Sequence, residues 1–281
     1  MPDPQTPPAL GGKDSRNLIL RVVVAVLLAP LAVMFAFVGG WLWILLSTLV
    51  AIGLFYEWHA IVNSEADSKS FAAGVIALEL AGLALWFGWN GIASGAVIVG
   101  LTLVGLLSGE NRWWNVAGLA YTAAALVASS LVRLDESAGF YALMFTLLVV
   151  WASDIGGYFA GRTVGGPKLW PRISPNKTWA GSIGGLVLSL GVAAVAATLG
   201  WGRAVPLVLL ALALSISSQL GDLFESAVKR HFGVKDSSQL IPGHGGLLDR
   251  LDGFVAAIVV AAVVGYLRAG ADGVGRGFMI W

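Results

Sequence analysis

The chain has 281 residues, of which 57% are hydrophobic and only 12% are charged, and its mean hydropathy is +0.82. A soluble globular protein carries about twice that charged fraction, so the composition excludes a soluble domain and indicates a polytopic membrane protein. The net charge of +1, with no basic tail, gives no sign of nucleic-acid binding, and the absence of cysteine excludes disulfides, thiolate metal sites and cysteine nucleophiles.

Runs of about 20 apolar residues between charged, Gly or Pro breaks predict nine membrane-spanning helices. The first run is too long for a removed signal peptide and lacks a small-residue cleavage site. We therefore expect an all-α bundle in one transmembrane domain, 17–270, with a polar N-terminal tail at 1–16 and a C-terminal tail at 271–281. Cytosolic catalytic loops are expected at 161–179 and 225–252. The nine predicted spans are 18–38, 41–61, 71–89, 91–107, 116–133, 139–160, 180–201, 204–224 and 253–270.

The distribution of Lys and Arg predicts the orientation of this bundle. With the N-terminus inside, the inner segments hold 13 of the 17 Lys and Arg residues and the outer segments hold 4. Because positive charges concentrate in cytosolic segments, we expect a cytosolic N-terminus in a bacterial-type inner (plasma) membrane. No internal repeat is visible, which weighs against an inverted-repeat transporter.

Two glutamates and a histidine lie within the second and third predicted spans. Glu57 and His59 flank Trp58 near the end of the second span, where the favoured interpretation is an interfacial belt that anchors the helix end. A role at a lipid headgroup is the alternative. Glu79 lies in the middle of the third span, so its carboxyl group should face protein or a polar cavity, and a protonated or hydrogen-bonded group inside the bundle is favoured.

The most polar stretch of the chain, residues 222–252, holds five acids, four Lys or Arg residues and two of the three histidines. Such groups are costly at a membrane boundary unless they bind something. Carboxylates suit a hard cation such as magnesium, whereas lysine and arginine suit phosphate oxygens. The combination indicates phosphoryl or nucleotidyl transfer. The alternative, a charged loop between two helices, explains the charges but not their order.

The order of residues from 226 to 252 resembles the signature of the phosphatidate cytidylyltransferases, also called CDP-diacylglycerol synthases, and fills every fixed position of it. The resemblance extends to residues 154–162, which match the family's Asp-x-x-Ala/Gly-Tyr-Phe-x-Gly-Arg run. It is weaker at 173–181, where Asn176 and Ala180 depart from the family's Ser-Pro-Lys-Lys-Thr-Trp-Glu-Gly pattern. The fixed polar residues of the main motif are Ser226, Lys229, Arg230, Lys235, Asp236, His244, Asp249, Arg250 and Asp252.

The resemblance implies an enzyme that condenses CTP with phosphatidate in the bilayer, giving CDP-diacylglycerol and pyrophosphate. It implies that the active site faces the cytosol, where CTP is found. The residues implied to be catalytic are Lys229, Arg230, Lys235, His244 and Arg250. Those implied to bind substrate are Asp154, Ser174, Lys177, Thr178 and Ser226.

Magnesium is the expected cofactor, and Asp222, Asp249 and Asp252 are its candidate ligands. Asp222 closes the eighth span and Asp249 opens the ninth, so antiparallel neighbours would bring the two carboxylates to one membrane face. A second cation is compatible with the number of acids. Asp252 is either a further ligand or a partner that orients Arg230 or Arg250. His244 either assists at the phosphates or fixes the loop through a backbone hydrogen bond.

Two other functions compete with this interpretation. One is a cytidylyltransferase that acts on a different lipid phosphate. The other is a cation-coupled transporter, in which Glu79, Asp154 and Asp222 would be ion sites within the membrane. A CDP-alcohol phosphatidyltransferase is disfavoured because its Asp-Gly-x-x-Ala-Arg motif is missing. The sequence is compatible with a homodimer but does not require one.

Overall fold

The computed structural model describes residues 29–63, 67–238, 240 and 245–281. Within these ranges, eight helices are long and apolar enough to cross a membrane. A shorter apolar helix, α1 (Ala29–Val38), precedes them and lies in the first predicted span. The rest of that span and the predicted tail at 1–16 lie outside the described residues. The predicted all-α, polytopic fold is confirmed.

The other elements follow in chain order, with short connections between most of them. They are α2 (Gly40–Val62), α3 (Ser68–Trp86), α4 (Asn90–Leu107), α5 (Arg112–Leu134), α6 (Gly139–Thr163), β1 (Lys168–Trp170), β2 (Ser174–Thr178), α7 (Trp179–Thr198), α8 (Ala204–His231), α9 (Leu248–Ala269), a 3₁₀ turn (Ala271–Gly273) and α10 (Val274–Met279).

Helix α8 continues beyond the predicted end of its span at residue 224, through the polar residues of the motif. Two pairs one turn apart support this extension: Ser226 Oγ donates to Asp222 Oδ1 at 3.4 Å, and Lys229 Nζ lies 2.7 Å from Glu225 Oε2. Basic residues in the last turn also suit the negative end of the helix dipole. The first part of the predicted loop at 225–252 is therefore helical, and its basic pair lies on α8.

The predicted loop at 161–179 is also more ordered than expected, because it contains an antiparallel hairpin. Strands β1 and β2 pair Lys168 with Thr178 and Trp170 with Ser174. The second strand leads directly into α7, where Thr178 Oγ1 accepts a hydrogen bond from the Gly181 N–H at 3.0 Å. Such an N-cap satisfies one of the unpaired amides at a helix start, so it fixes the strand-to-helix junction beside Lys177.

Helices α8 and α9 approach each other closely at Gly221. A Cβ atom at that position would lie 2.6 Å from the Asp252 carbonyl oxygen, which is too short a distance for any side chain. Glycine therefore permits the contact that holds the neighbouring Asp222 and the start of α9 together. Beneath this contact, a buried cluster that includes Trp58, Val228 and Leu248 joins α2 to both helices.

Residues 271–281, expected to be a tail, instead fold back onto the bundle. Val274, Phe278 and Met279 are almost completely buried, and α10 packs against α9, α6 and α5. The apolar side chains near the C-terminus explain this, because their burial against the ends of three helices removes them from water.

Candidate active site

Carboxylates from three helices gather where α6 and α8 end and α9 begins. Asp154 on α6, Asp222 on α8 and Asp252 on α9 lie close enough to interact electrostatically. Lys177, at the end of the hairpin, forms an ion pair with Asp222 and also interacts electrostatically with Asp154. Four residues named from distant parts of the sequence are therefore brought to one place.

Lys229 lies between two acids in the last turns of α8. Its Nζ is 2.7 Å from Glu225 Oε2 and 2.6 Å from Asp249 Oδ1. Glu225 is only 1% exposed, and its Oε1 atom has no hydrogen-bond partner among the described residues. Lys229 thus neutralises a buried carboxylate on its own helix while it ties α8 to the first turn of α9.

Asp249 is the most heavily bonded acid of the motif. Besides Lys229, its Oδ2 atom accepts hydrogen bonds from the backbone N–H groups of Gly246 at 3.0 Å and Ser237 at 3.1 Å, and from Ser237 Oγ at 3.1 Å. These bonds hold Ser237 and Gly246 against the carboxylate. Asp249 therefore organises this segment in addition to its predicted role as a metal ligand.

The remaining predicted residues are spread around this centre. Arg230 is exposed and donates from Nη1 to the Val234 carbonyl at 2.9 Å, while Lys235 and Arg250 are also exposed. These three cations lie at the surface, outside the buried ion pairs.

Two further predicted residues lie on the hairpin. Ser174 lies at the start of β2, and the buried Thr178 serves as the cap of α7. The prediction for His244 lies outside the described residues.

Asp222 and Asp249 each contact a different lysine, Lys177 and Lys229 respectively. Among the described residues, no group of three or more Asp, Glu or His side chains has a geometry that could hold a metal ion. Magnesium, however, is usually bound through one or two carboxylates, with water and substrate phosphates completing its shell. The donor chemistry of Asp222, Asp249 and Asp252 fits such a partial site.

The predicted interfacial belt at the end of α2 is wrong. Trp58 and Glu57 are 1% and 0% exposed, so they lie inside the protein and not at a membrane surface. Trp58 Nε1 donates to the Trp114 carbonyl at 2.9 Å, and its ring stacks near Tyr121 and Phe224. His59 is also buried, with Nε2 3.2 Å from Ser70 Oγ. This end of α2 is part of the wall of the site.

Glu57 is the site residue that sequence reasoning missed. Its Oε1 atom accepts hydrogen bonds from Ser238 Oγ at 2.6 Å and the Leu247 N–H at 2.8 Å. Its Oε2 atom accepts from Ser237 Oγ at 2.8 Å and the Leu248 N–H at 2.7 Å. The one available signal was a carboxylate within an apolar span. Its partners are hydroxyl and backbone groups some 180 residues away, which no local pattern reveals.

The sequence led us to expect Glu79 inside the bundle, but the structure places it on the exposed side of α3. The buried face of α3 includes Ala77, Leu78, Ala81 and Leu85, and Glu79 lies on the exposed side. Glu79 therefore does not join Asp154 and Asp222, and the set of three ion sites required by the transporter hypothesis is not assembled.

The fold and the site together define an integral membrane protein with a charged site suited to phosphate-bearing substrates. Comparison with known proteins agrees: a sequence model described as the Cytidylyltransferase family matches residues 19–267. The chain belongs to this family, as the resemblance of its motifs predicted.

Several relatives carry the name phosphatidate cytidylyltransferase. The protein from Brucella suis is 41% identical over 263 residues, which cover 91% of this chain and 96% of the relative. The Bacillus subtilis protein is 45% identical over 127 residues, or 44% of this chain and 47% of the relative. The Haemophilus influenzae protein is 45% identical over 130 residues, or 44% and 45% of the two chains.

Proposed function

We propose that this protein is a membrane enzyme that condenses CTP with phosphatidate to give CDP-diacylglycerol and pyrophosphate. The proposal rests on one observation. In a chain of the cytidylyltransferase family, the described polar residues of the motif in 222–252 lie on or beside the adjoining ends of α8 and α9. The name shared by the relatives supports phosphatidate as the lipid substrate. No observation favours a different lipid phosphate or a transported cation.

The reaction is a displacement at the α-phosphorus of CTP. A phosphate oxygen of the lipid forms a new bond to that phosphorus, the bond to the bridging oxygen of the β-phosphate breaks, and pyrophosphate leaves with the electron pair. The second pKa of a phosphate monoester is about 6, so the nucleophile is already anionic near neutral pH. The enzyme therefore needs no strong general base, and its main task is to bring two polyanions together.

The cations of the site perform that task in our proposal. Arg230, Lys235 and Arg250 are exposed and would contact the triphosphate of CTP and the lipid phosphate. Lys177 contacts Asp222 and Lys229 contacts Asp249, and both lysines would turn toward phosphate oxygens when substrate binds. Ser174, Ser226 and Asp154 line the approach as polar substrate contacts, and Thr178 supports Lys177 by capping α7.

We also propose magnesium as the cofactor, held by Asp222 and Asp249 with Asp252 close by. A bound magnesium ion would neutralise phosphate charge and help to align the attacking and leaving oxygens. The carboxylates of Asp222 and Asp249 lie on separate helices, and their ion pairs with Lys177 and Lys229 balance their charge. Asp222 and Asp249 would hold the ion, and Lys177 and Lys229 would then turn from these carboxylates to phosphate oxygens.

The site is proposed to face the cytosol, in line with the 13 to 4 distribution of positive charges. Cysteine scanning tests this directly, because the chain has no native cysteine. Asp236→Cys and Arg203→Cys place exposed thiols at opposite ends of α8. In intact cells, an impermeant thiol reagent should label only the cysteine at 203. Labelling at 236 instead would reverse the orientation and remove the access of CTP.

A labelling experiment tests the activity itself. Purified protein is incubated with magnesium and CTP that carries the label on the α-phosphate, together with phosphatidate or other lipid phosphates. We expect label in the lipid product with phosphatidate, whereas label on the γ-phosphate should leave in pyrophosphate. Incorporation only into a different lipid phosphate would support the alternative substrate, and no incorporation with any lipid would overturn the proposed activity.

A further inference from the structure

Glu57 lies outside every motif of the sequence, yet it holds the segment that those motifs depend on. Its carboxylate is completely buried and has four donors within hydrogen-bond distance, two at each oxygen. All four donors belong to the connection between α8 and α9 or to the start of α9. A buried carboxylate with this many donors is satisfied in only one position, so Glu57 specifies where this segment sits.

Helix α9 begins without a cap from its own sequence. Its N-cap residue, Leu247, offers no side-chain hydrogen bond, which leaves the first backbone N–H groups without the usual local acceptor. Glu57 accepts from two of them, those of Leu247 and Leu248. A carboxylate is also stabilised by the positive end of the helix dipole. Glu57 on α2 therefore acts as the cap of α9 and fixes the position of its first turn.

The serine that follows Asp236 links this cap to Asp249. Ser237 Oγ lies 2.8 Å from Glu57 Oε2 and 3.1 Å from Asp249 Oδ2, but a hydroxyl has one proton and can donate to only one of them at a time. The Ser237 and Gly246 N–H groups both donate to Asp249. A Cβ atom at Gly246 would collide with Ser237 Oγ, so glycine permits this close arrangement. Glu57 and Asp249 therefore both bind Ser237, Glu57 at its hydroxyl and Asp249 at its backbone N–H.

We propose that Glu57 is a positioning residue for cytidylyl transfer: by capping α9 and anchoring Ser237 and Ser238, it sets the orientation of Asp249 toward the reacting phosphates. This inference rests on the proposed function. Glu57 is fully buried behind the segment it anchors, so it acts through Asp249 and not on substrate. When Asp249 binds another cation, the Ser237 hydroxyl can donate to Glu57, and the segment keeps its anchor.

The test compares Glu57→Gln with Glu110→Gln, which removes an exposed carboxylate between α4 and α5. Glutamine keeps the size of glutamate, but its amide nitrogen cannot accept from the N–H of Leu247 or Leu248. The remaining amide oxygen of glutamine can accept from only one of the two groups, so hydrogen exchange should show at least about tenfold faster exchange of at least one of these amides in Glu57→Gln. Glu110→Gln should retain the wild-type exchange rates.

Kinetics then separate positioning from binding. We expect Glu57→Gln to lower kcat by about 10- to 100-fold with the KM for CTP nearly unchanged, since a small misplacement of a reacting group is that costly. Ser238→Ala, which removes a single donor to Glu57, should lower kcat by a smaller factor in the same direction. This milder variant keeps the test decisive if Glu57→Gln fails to fold.

Two results would overturn the inference. One is a wild-type kcat in Ser238→Ala or in a folded Glu57→Gln variant that has lost amide protection, because the cap would then be structural only. The other is a raised KM with an unchanged kcat. Failure of the proposed function would look different: the wild-type protein would not transfer label to phosphatidate, while the exchange experiment would still report whether Glu57 anchors α9.

Discussion

The two ends of the helix bundle both carry buried charges, but they bond them to different partners. At the site end, where α8 meets α9, charged side chains pair mainly with each other, as Lys229 does with Glu225 and Asp249. At the far end, where α5 ends and α10 packs, charged side chains bond mainly to the backbone. Arg133 donates to the carbonyl groups of Ala36 and Phe37.

This difference separates charges that maintain the fold from charges that are available for chemistry. A backbone group at a helix end stays in place, so a side chain bonded to it has one stable arrangement. An ion pair between two flexible side chains can exchange a partner when a phosphate or a metal ion arrives. Glu57 and Asp249 combine both patterns, because they lie at the site end but also accept hydrogen bonds from backbone N–H groups, as the far-end charges do.

The largest expected effect comes from the acids of the site end. Asp222→Asn and Asp249→Asn keep the side-chain shape but remove the charge that would hold magnesium, so each should reduce cytidylyl transfer on the order of a thousandfold or more. The double variant should be hardly worse than either single one, because both disable the same site. Activity is measured in detergent after insertion and thermal stability have been checked.

The matched control for these variants is Asp135→Asn at the far end, which should keep its activity per folded molecule. Robust magnesium-dependent activity in both Asp222→Asn and Asp249→Asn would show that the cation is held elsewhere. It would also contradict the interpretation that the ion-paired acids of the site end serve the reaction.

A second prediction contrasts two adjacent cations on α8. Arg230 is exposed, so Arg230→Ala should reduce kcat/KM by about tenfold to a hundredfold, the loss of one charge-assisted phosphate contact, without changing stability. Lys229 is buried between two acids, so Lys229→Ala should lose activity by at least as much and also lower the melting temperature.

Steady-state kinetics and thermal unfolding, measured on the same preparations, separate these two cases. Wild-type kinetics in both variants would mean that this basic pair only directs membrane topology. Equal melting temperatures for the two variants would contradict the buried ion pairs of Lys229.

The sequence predicted the helices better than their ends. Apolar run length located the spans, but it placed the end of α8 at residue 224 because hydropathy does not register the ion pairs that extend it to His231. The sequence also predicted that the end of the eighth span and the start of the ninth lie together, and the contact between Lys229 and Asp249 joins these two helix ends. It did not reveal which acid each lysine would contact, since that depends on how α6, α8 and α9 pack.

Residues outside the motifs were the harder part of the prediction. Glu57 and Trp58 look like an interfacial anchor in sequence, and only the packing of α2 against α8 and α9 shows that they are buried. The folded C-terminal segment was missed for a similar reason. Its apolar residues are too few for a span, and their burial depends on a groove formed by three other helices.

The third prediction concerns stability at the far end. Arg133 is 9% exposed, and its guanidinium satisfies carbonyl groups at the end of α1. Arg133→Met should therefore lower the free energy of unfolding by about 1.5–3 kcal/mol, as for loss of a hydrogen bond to a charged group. Cytidylyl transfer per folded molecule should stay unchanged. Arg203→Met, at an exposed position near the same end, is the control and should change neither quantity.

The smallest expected effect is the pH dependence of the contribution of Asp135 to stability. Burial raises the pKa of Asp135, but hydrogen bonds from the Ser137 hydroxyl and from the Arg276, Ala138 and Ser137 N–H groups outweigh it and hold the pKa below its ordinary value of 3.8. A carboxylate whose pKa is lowered by folding contributes stability that is complete above the unfolded value and is lost as the pH falls through the folded value.

The melting temperatures of the wild-type protein and Asp135→Asn should therefore differ by a constant few degrees between pH 7 and pH 5. The difference should narrow as the pH falls below the ordinary value of 3.8. Because both proteins share the same acids at the site end, the titration of those acids cancels in the comparison. Activity at neutral pH should be equal in the two proteins. A difference that stays constant down to about pH 3 would mean that the Asp135 charge does not stabilise the fold, and that the far end depends on packing instead of on its bonds to the backbone.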